Sequence, residues 1–327
     1  MKLVTFVLNA ETAPRLGALI GDGRLLDLAA ADRSDGGASA AAFASMQALI
    51  EAGPAALDRA RRLLDLPSPN AVHALADGVR LLAPLPLPVQ IRDCMCFEGH
   101  LTGSMQASMR LSGSNNPTAT QLGMQEVFAK RPIYYKANRF AVTGPDTDVV
   151  WPAYSQMMDY ELEMGCVLGR TGRDIPLATA RDHIFGYTIF NDFSARDTQA
   201  FEMRSSLGPS KSKDFDNANA IGPCIVTADD FDPYAAAMVV RVNGEVRSEG
   251  SSRTMTYSFE DLIAFISTHE TLHAGEILGS GTVGGGCGLE QGRMLADGDV
   301  VELEIEGIGR LRNRVIASRP PQERNTQ

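Results

Sequence analysis

Past residue 160 the apolar residues arrive in short runs: Cys166 to Leu168, Tyr187 to Phe190, Ile225 to Thr227, Met238 to Val242 and Val300 to Ile305. Brief runs of valine, isoleucine and aromatic residues suit strands, and they constrain this part of the chain to a mainly β architecture. The last run alternates, Val301-Glu302-Leu303-Glu304-Ile305-Glu306, which is the period-two pattern of a strand with one wet face. Asn243-Gly244 separates two such runs, and both residues tolerate the positive φ that a type I′ hairpin turn needs. Few helical stretches interrupt, Phe259 to Thr268 being one, so helices are expected at the periphery.

The beginning of the chain reads differently. Leu16 to Ile20 and Leu25 to Leu28 are joined by the turn signal Gly21-Asp22-Gly23, and Ala38 to Ile50 and Ala55 to Leu64 then recur at helical spacing. Prolines spaced through Ala83-Pro84-Leu85-Pro86-Leu87-Pro88 cannot sit inside a helix, and they predict an extended linker. The boundary is placed there, giving a small N-terminal domain over 1–88 and a larger unit over 89–327. The polar stretch from Leu101 to Lys130, with Gly103, Gly113 and then a helix-like Thr120 to Ala129, reads either as a lid or as an ordinary surface loop.

At 327 residues, with 44% hydrophobic and 21% charged residues, the chain has ample material for a core. A net charge of −10 repels phosphate backbones, which argues against nucleic acid and anionic membranes as partners. No stretch reaches the length of a membrane span, and Met1 to Phe6 alternates like a strand rather than a secretion signal. Five cysteines, an odd number, fit reduced thiols in a cytoplasm.

Candidate chemistry lies in three acidic segments. In Asp159-Tyr160-Glu161-Leu162-Glu163, the two glutamates share one face of a strand, and carboxylates that close call for a cation, with hard divalent ions the best match. The same spacing in Val301 to Glu306 reads as a solvated face, so pattern alone does not separate the two. Asn191-Asp192-Phe193-Ser194-Ala195-Arg196-Asp197 follows an apolar run, and Arg92-Asp93 to Gly99-His100 offers a carboxylate and a histidine.

Taken in order, these segments resemble the fumarylacetoacetate hydrolase family. The likeness extends through Leu207-Gly208-Pro209, Lys213-Asp214-Phe215-Asp216, Gly222-Pro223, Gly275-Glu276 and Gly281-Thr282-Val283-Gly284 to Gly309-Arg310-Leu311-Arg312-Asn313. It implies an α+β, mainly β fold: a mixed β-roll or sandwich typical of fumarylacetoacetase C-terminal domains, preceded by a small N-terminal α/β domain. It also implies that Asp93, Glu161, Glu163 and Asp192 hold Mg²⁺ or Mn²⁺, with Ca²⁺ as an alternative, and that His100 is the general base. Arg196, Gln199 and Lys213 would line an oxyanion-stabilising pocket, with Lys213 preferred over Lys211 by its distance from Gly222-Pro223. Thr282 and Tyr135 would contact substrate.

The reaction so implied is hydrolysis of a carbon–carbon bond in an acylpyruvate or 1,3-diketo acid. Decarboxylation, isomerisation or hydration of 2-oxo acids on the same site is the alternative, and a metal-binding homologue without activity is a third. A homodimer is expected on the same resemblance. One departure stands out: smaller members place a glutamate three residues after the histidine, where this chain has Gly103. Glu98, two residues before His100, is either the catalytic substitute or a surface acid.

Two other motifs compete. His269-Glu270-Thr271-Leu272-His273 fits H-E-x-x-H, but Ala274-Gly275 would break the helix that a zinc protease needs. Gly279-Ser280-Gly281-Thr282-Val283-Gly284 fits G-x-G-x-x-G, yet Gly285-Gly286-Cys287-Gly288 offers no good following helix for a dinucleotide site.

Overall fold

The computed structural model describes residues 1–8 and 12–318. Among these residues, twelve strands form one mixed sheet. Its main path runs Val72–Ala74, Arg24–Asp27, Arg15–Gly21, Lys2–Leu8, Asn219–Thr227, Ile184–Asp192, Leu162–Leu168, Ile277–Gly279, Ile91–Met95 and Ile133–Ala137. A five-stranded sheet orders Glu245–Ser251, Ala237–Val242, Val300–Ile305, Gly309–Ala317 and Asp148–Trp151. The β-rich architecture with peripheral helices is the one the family resemblance implied.

Side-chain alternation divides the core. On the Leu162–Leu168 strand, Leu162, Met164, Cys166 and Leu168 join a cluster with Met238, Val240, Leu303 and Ile305 of the second sheet. Val167 points the other way, as do Phe190, Ile221 and Ile277, into a cluster with Leu28, Met46, Leu49 and Leu63 of the N-terminal helices. Each such buried aliphatic side chain contributes about 1.5–3 kcal/mol, so neither face is dispensable. Glu161 and Glu163 have the parity of Val167, Asp192 that of Phe190, and Asp93 that of Ile91. The large sheet therefore presents all four carboxylates on the face covered by the N-terminal segment.

That segment shares the sheet: Lys2 pairs with Val226 and Leu3 with Ile225. The proline-spaced stretch is non-helical as expected but bends through Pro84 to Leu87 rather than running extended. It is held in place, since Leu85 is buried, the Thr5 hydroxyl donates to the Pro84 carbonyl at 2.6 Å, and Arg139 Nε donates to that of Pro88 at 2.6 Å. Val242 pairs with Glu245 across Asn243-Gly244, both at positive φ.

The polar stretch after His100 begins in a helix rather than a loop, and the helix expected over Thr120 to Ala129 is present. Glu98–Ser112 is a helix closed by Gly113 in the left-handed region, and Ala119–Phe128 is a second helix whose Thr118 and Gln121 form a capping box. Gly103 and the many polar residues mask the helical pattern, yet Leu101, Met105 and Phe128 bury together.

The competing motifs dissolve. The Phe259–Ile266 helix ends before His269, which has φ 57° and an exposed side chain, so no helix presents the two histidines together. After Gly284 comes only a four-residue helix, Gly288–Gln291. No helix among the described residues is long and apolar enough to cross a membrane.

Candidate active site

The carboxylates converge because one strand between them lacks side-chain bulk. Ile277–Gly279 lies between Leu162–Leu168 and Ile91–Met95, pairing Gly279 with both Gly165 and Asp93. A Cβ on Gly279 would stand 2.7 Å from Asp93 Oδ1 and 3.0 Å from Glu163 Oε2. Glycine there lets Asp93 and Glu163 approach each other across the intervening strand. The next turn requires Gly281, whose φ is +71° and whose Cβ would meet the Cys94 carbonyl at 2.3 Å; its N–H donates to Glu163 Oε2 at 3.0 Å.

Asp93, Glu161, Glu163 and Asp192 each offer an oxygen within 4.8 Å of the others, and all four are buried. Their cations are unevenly placed. Lys213 Nζ donates to Glu161 at 2.6 Å and also to Asp192, while Arg196 Nη2 donates to Glu161 at 2.7 Å. Burial opposes the charge on Glu161, but Arg196 and Lys213 overcome it and hold the carboxyl below its usual range. Neither cation bonds Asp93 or Glu163. Burial, with Asp192 nearby, pushes Asp93 up to about 8, and burial with Asp93 as neighbour raises Glu163 well above the ordinary range.

Two carboxylate oxygens, Asp93 Oδ1 and Asp192 Oδ1, are buried without a hydrogen-bond partner. Buried acceptors of this kind, in a cluster of like charges, are groups that a bound cation would satisfy. The donor set is all hard oxygen and so fits Mg²⁺, Mn²⁺ or Ca²⁺.

His100 stands at this cluster from the first turns of the Glu98–Ser112 helix. Its Nε2 is 3.9 Å from Glu161 Oε1, and its Nδ1 is 2.8 Å from Glu290 Oε1. Glu98 plays no part in that pairing: it is exposed, and residues two apart on a helix point to different faces. The absent acid at position 103 is replaced from far along the chain, for a Cβ on Gly103 would fall 2.2 Å from Glu290 Oε2. Glycine at 103 makes room for a carboxylate that the Gly288–Gln291 helix supplies.

Asp159 ties these parts together. Its carboxylate accepts from Gly288 N at 2.7 Å, Leu289 N at 2.9 Å and Arg196 Nε at 2.8 Å. One buried acid thus anchors both the segment carrying Glu290 and the guanidinium that steadies Glu161. Neither Asp159 nor Glu290 was assigned a role from sequence. The signals available were the position of Asp159 at the head of the acidic motif and the gap at Gly103.

The remaining predicted residues also gather here. Tyr135 OH donates to Asp192 Oδ2 at 2.5 Å, and Gln199 Oε1 accepts from Arg196 Nη1 at 2.9 Å. The Thr282 hydroxyl lies 3.5 Å from Glu163 Oε1, at the limit for a hydrogen bond. Lys211 is exposed over the Tyr154 ring, which leaves Lys213 as the lysine of the cluster.

With this geometry in view, the likenesses to known proteins become informative. Residues 110–316 match the model of the fumarylacetoacetate (FAA) hydrolase C-terminal domain. The chain belongs to the fumarylacetoacetate hydrolase family. It is 31% identical to the human protein named oxaloacetate tautomerase FAHD2A, mitochondrial, over 97% of this chain and 92% of that one. Among solved structures, it resembles the fumarylacetoacetate hydrolase of psychrophilic Exiguobacterium antarcticum at 29% identity and a TM-score of 0.74, covering 97% and 100% of the two chains. It also resembles 5-carboxymethyl-2-hydroxymuconate delta-isomerase of Mycobacterium smegmatis, at 25% identity and a TM-score of 0.68 with the same coverage. The family thus includes hydrolases, isomerases and tautomerases.

Proposed function

We propose that this chain is a divalent-metal-dependent enzyme that moves a proton on the carbon next to the oxo group of a small 2-oxo diacid, interconverting keto and enol forms of an oxaloacetate-type substrate. The observation that carries this reading is His100, held through Nδ1 by Glu290 with Nε2 facing the carboxylate cage. A base so placed can take a proton from carbon and return it to oxygen, which is all that tautomerisation asks.

Asp93, Glu161, Glu163 and Asp192 would hold the ion. When bound, it would polarise the substrate carbonyl and acidify the neighbouring C–H. Glu290 fixes the imidazole so that Nδ1–H points away and Nε2 keeps a free lone pair; when Nε2 takes the proton, Glu290 faces the resulting imidazolium. Lys213 brings fixed positive charge to the place where enolate charge develops, and Arg196 with Gln199 keeps Glu161 in position. Tyr135 and Thr282 stand ready to contact the substrate.

Hydrolysis of an acylpyruvate is the second reading, favoured by the carboxylate-backed histidine, which serves equally to deprotonate water. The likeness over nearly the whole chain to a protein named as a tautomerase supports putting proton transfer first. The exposed Phe140, Phe201 and Leu207 suit a homodimer, which mass in solution tests.

The deciding experiment follows enol-oxaloacetate decay and acylpyruvate loss with Mg²⁺ or Mn²⁺, before and after chelation, with product identification. Metal-dependent ketonisation without carbon–carbon cleavage supports the tautomerase. Release of pyruvate and a free acid moves the assignment to hydrolysis, and indifference of both reactions to metal overturns the common mechanism.

A further inference from the structure

A second group of ligand atoms adjoins the cage. Besides the 2.8 Å contact between His100 Nδ1 and Glu290 Oε1, the Cys287 thiol reaches the same oxygen at 3.4 Å. His100, Cys287 and Glu290 each offer a ligand atom within 4.8 Å of the others. This trio uses none of the four cage carboxylates. Its donors differ in kind: one imidazole nitrogen, one sulfur and one carboxylate oxygen. Hard ions avoid sulfur, whereas Zn²⁺ takes all three and binds such sites more tightly than Mn²⁺ or Mg²⁺. Tetrahedral zinc, with bonds of about 2.0–2.1 Å to nitrogen and about 2.3 Å to sulfur, sets its ligands roughly 3.3–3.6 Å apart. The 3.4 Å Cys287–Glu290 spacing therefore fits, and the 2.8 Å His100–Glu290 contact opens by about half an ångström to admit the ion. Three protein ligands also leave zinc a fourth position for water.

We propose that His100, Cys287 and Glu290 form a separate, inhibitory metal site that takes Zn²⁺ and disables the base. As the sulfur–zinc bond forms, the thiol proton leaves to solvent. As the ion displaces the proton that His100 Nδ1 shares with Glu290, that proton passes through solvent to Nε2, so one proton is released in all. A neutral imidazole ligated through Nδ1 carries its hydrogen on Nε2. Nε2 is the atom that faces the cage, and with its lone pair used it can no longer accept a proton from substrate. Inhibition therefore follows from a change of tautomer, with the cage metal still in place.

The site can be tested without reference to the reaction proposed above. Protein saturated with Mg²⁺ is titrated with Co²⁺, which gives an intense thiolate-to-metal charge-transfer band only where sulfur is a ligand. The expected result is a band in the wild type that is bleached by Zn²⁺, lost in Cys287→Ser and in Cys287→Ala, and retained in Cys94→Ser. On whichever substrate is turned over, Cys287→Ser should raise the Zn²⁺ concentration for half-inhibition by about tenfold or more, each variant being compared with its own zinc-free rate. Absence of the band from the wild type, or its survival in both Cys287 variants, overturns the site. Equal zinc sensitivity in wild type and variants would place the inhibitory ion in the carboxylate cage and overturn it as well.

Discussion

Two E-x-E segments in this chain share a local pattern and have opposite fates. Glu302 and Glu304 lie on the outer sheet, where Arg310 reaches both and Arg241 adds a second partner to Glu304. Their side chains keep 15% and 37% of their exposure, so water screens whatever the pairing leaves over. Glu161 and Glu163 are 4% and 0% exposed, and their neighbours include two further buried acids. Period-two spacing sets which face a carboxylate occupies, and what covers that face decides whether it is solvated or caged. The outer segment has one arginine for each acid, whereas in the inner one neither Lys213 nor Arg196 bonds Asp93 or Glu163.

The contrast is sharpest if Glu163 is replaced by glutamine. Loss of a ligand should silence metal-dependent turnover, as chelation does, while thermal unfolding of the metal-free variant stays about level, because burial and Asp93 already favour the neutral form of Glu163 that glutamine mimics. A large drop in melting temperature in the chelated state would show that Glu163 is structural and would break the comparison. Next in size is His100→Ala, expected to cost about 10²–10⁴-fold in kcat with Mn²⁺ stoichiometry unchanged. Loss of Mn²⁺ from that variant would make His100 part of the metal site instead of the base beside it.

How far the sequence reached follows the same division. Glu161 and Glu163 were legible as a same-face pair from their spacing, whereas grouping them with Asp93 and Asp192 as a ligand set came only from the ordered family segments. Lys213 was legible by its distance from Gly222-Pro223. Glu290 was not, since it meets His100 across 190 residues from a four-residue helix that no periodicity announces. The helix of Glu98–Ser112 was hidden by Gly103, the residue whose missing side chain admits Glu290. Asp159 was visible as an acid, but its backbone N–H partners at Gly288 and Leu289 arise only from the tertiary fold.

Metal and pH should act together on stability. Asp93, raised to about 8, binds its proton more tightly in the folded protein than in the unfolded chain. Between pH 4 and 8, the folded state therefore holds more protons, and the metal-free protein loses stability as pH rises through that window. Calorimetry in chelator should show this decline. Mn²⁺ at about 100 times its Kd should add ~2.7 kcal/mol and reverse the trend, because the ion binds the deprotonated carboxylates. A melting temperature indifferent to pH in the absence of metal would mean that the inner acids are as well compensated as the outer pair.

The smallest effect belongs to the outer segment. Glu304→Gln removes one charge from a ladder in which Arg310 still has Glu302, and Arg241 is itself half-buried with access to water. The expected change is within about 0.5 kcal/mol in chemical denaturation, as for most exposed ion pairs, with kcat unaltered. The substitution is chemically the same as Glu163→Gln and is made in the same sequence pattern, so it isolates the environment as the variable. A loss of turnover at Glu304 would mean that charge on the outer sheet reaches the site through the shared core, and the two E-x-E segments would then have to be treated as one electrostatic system.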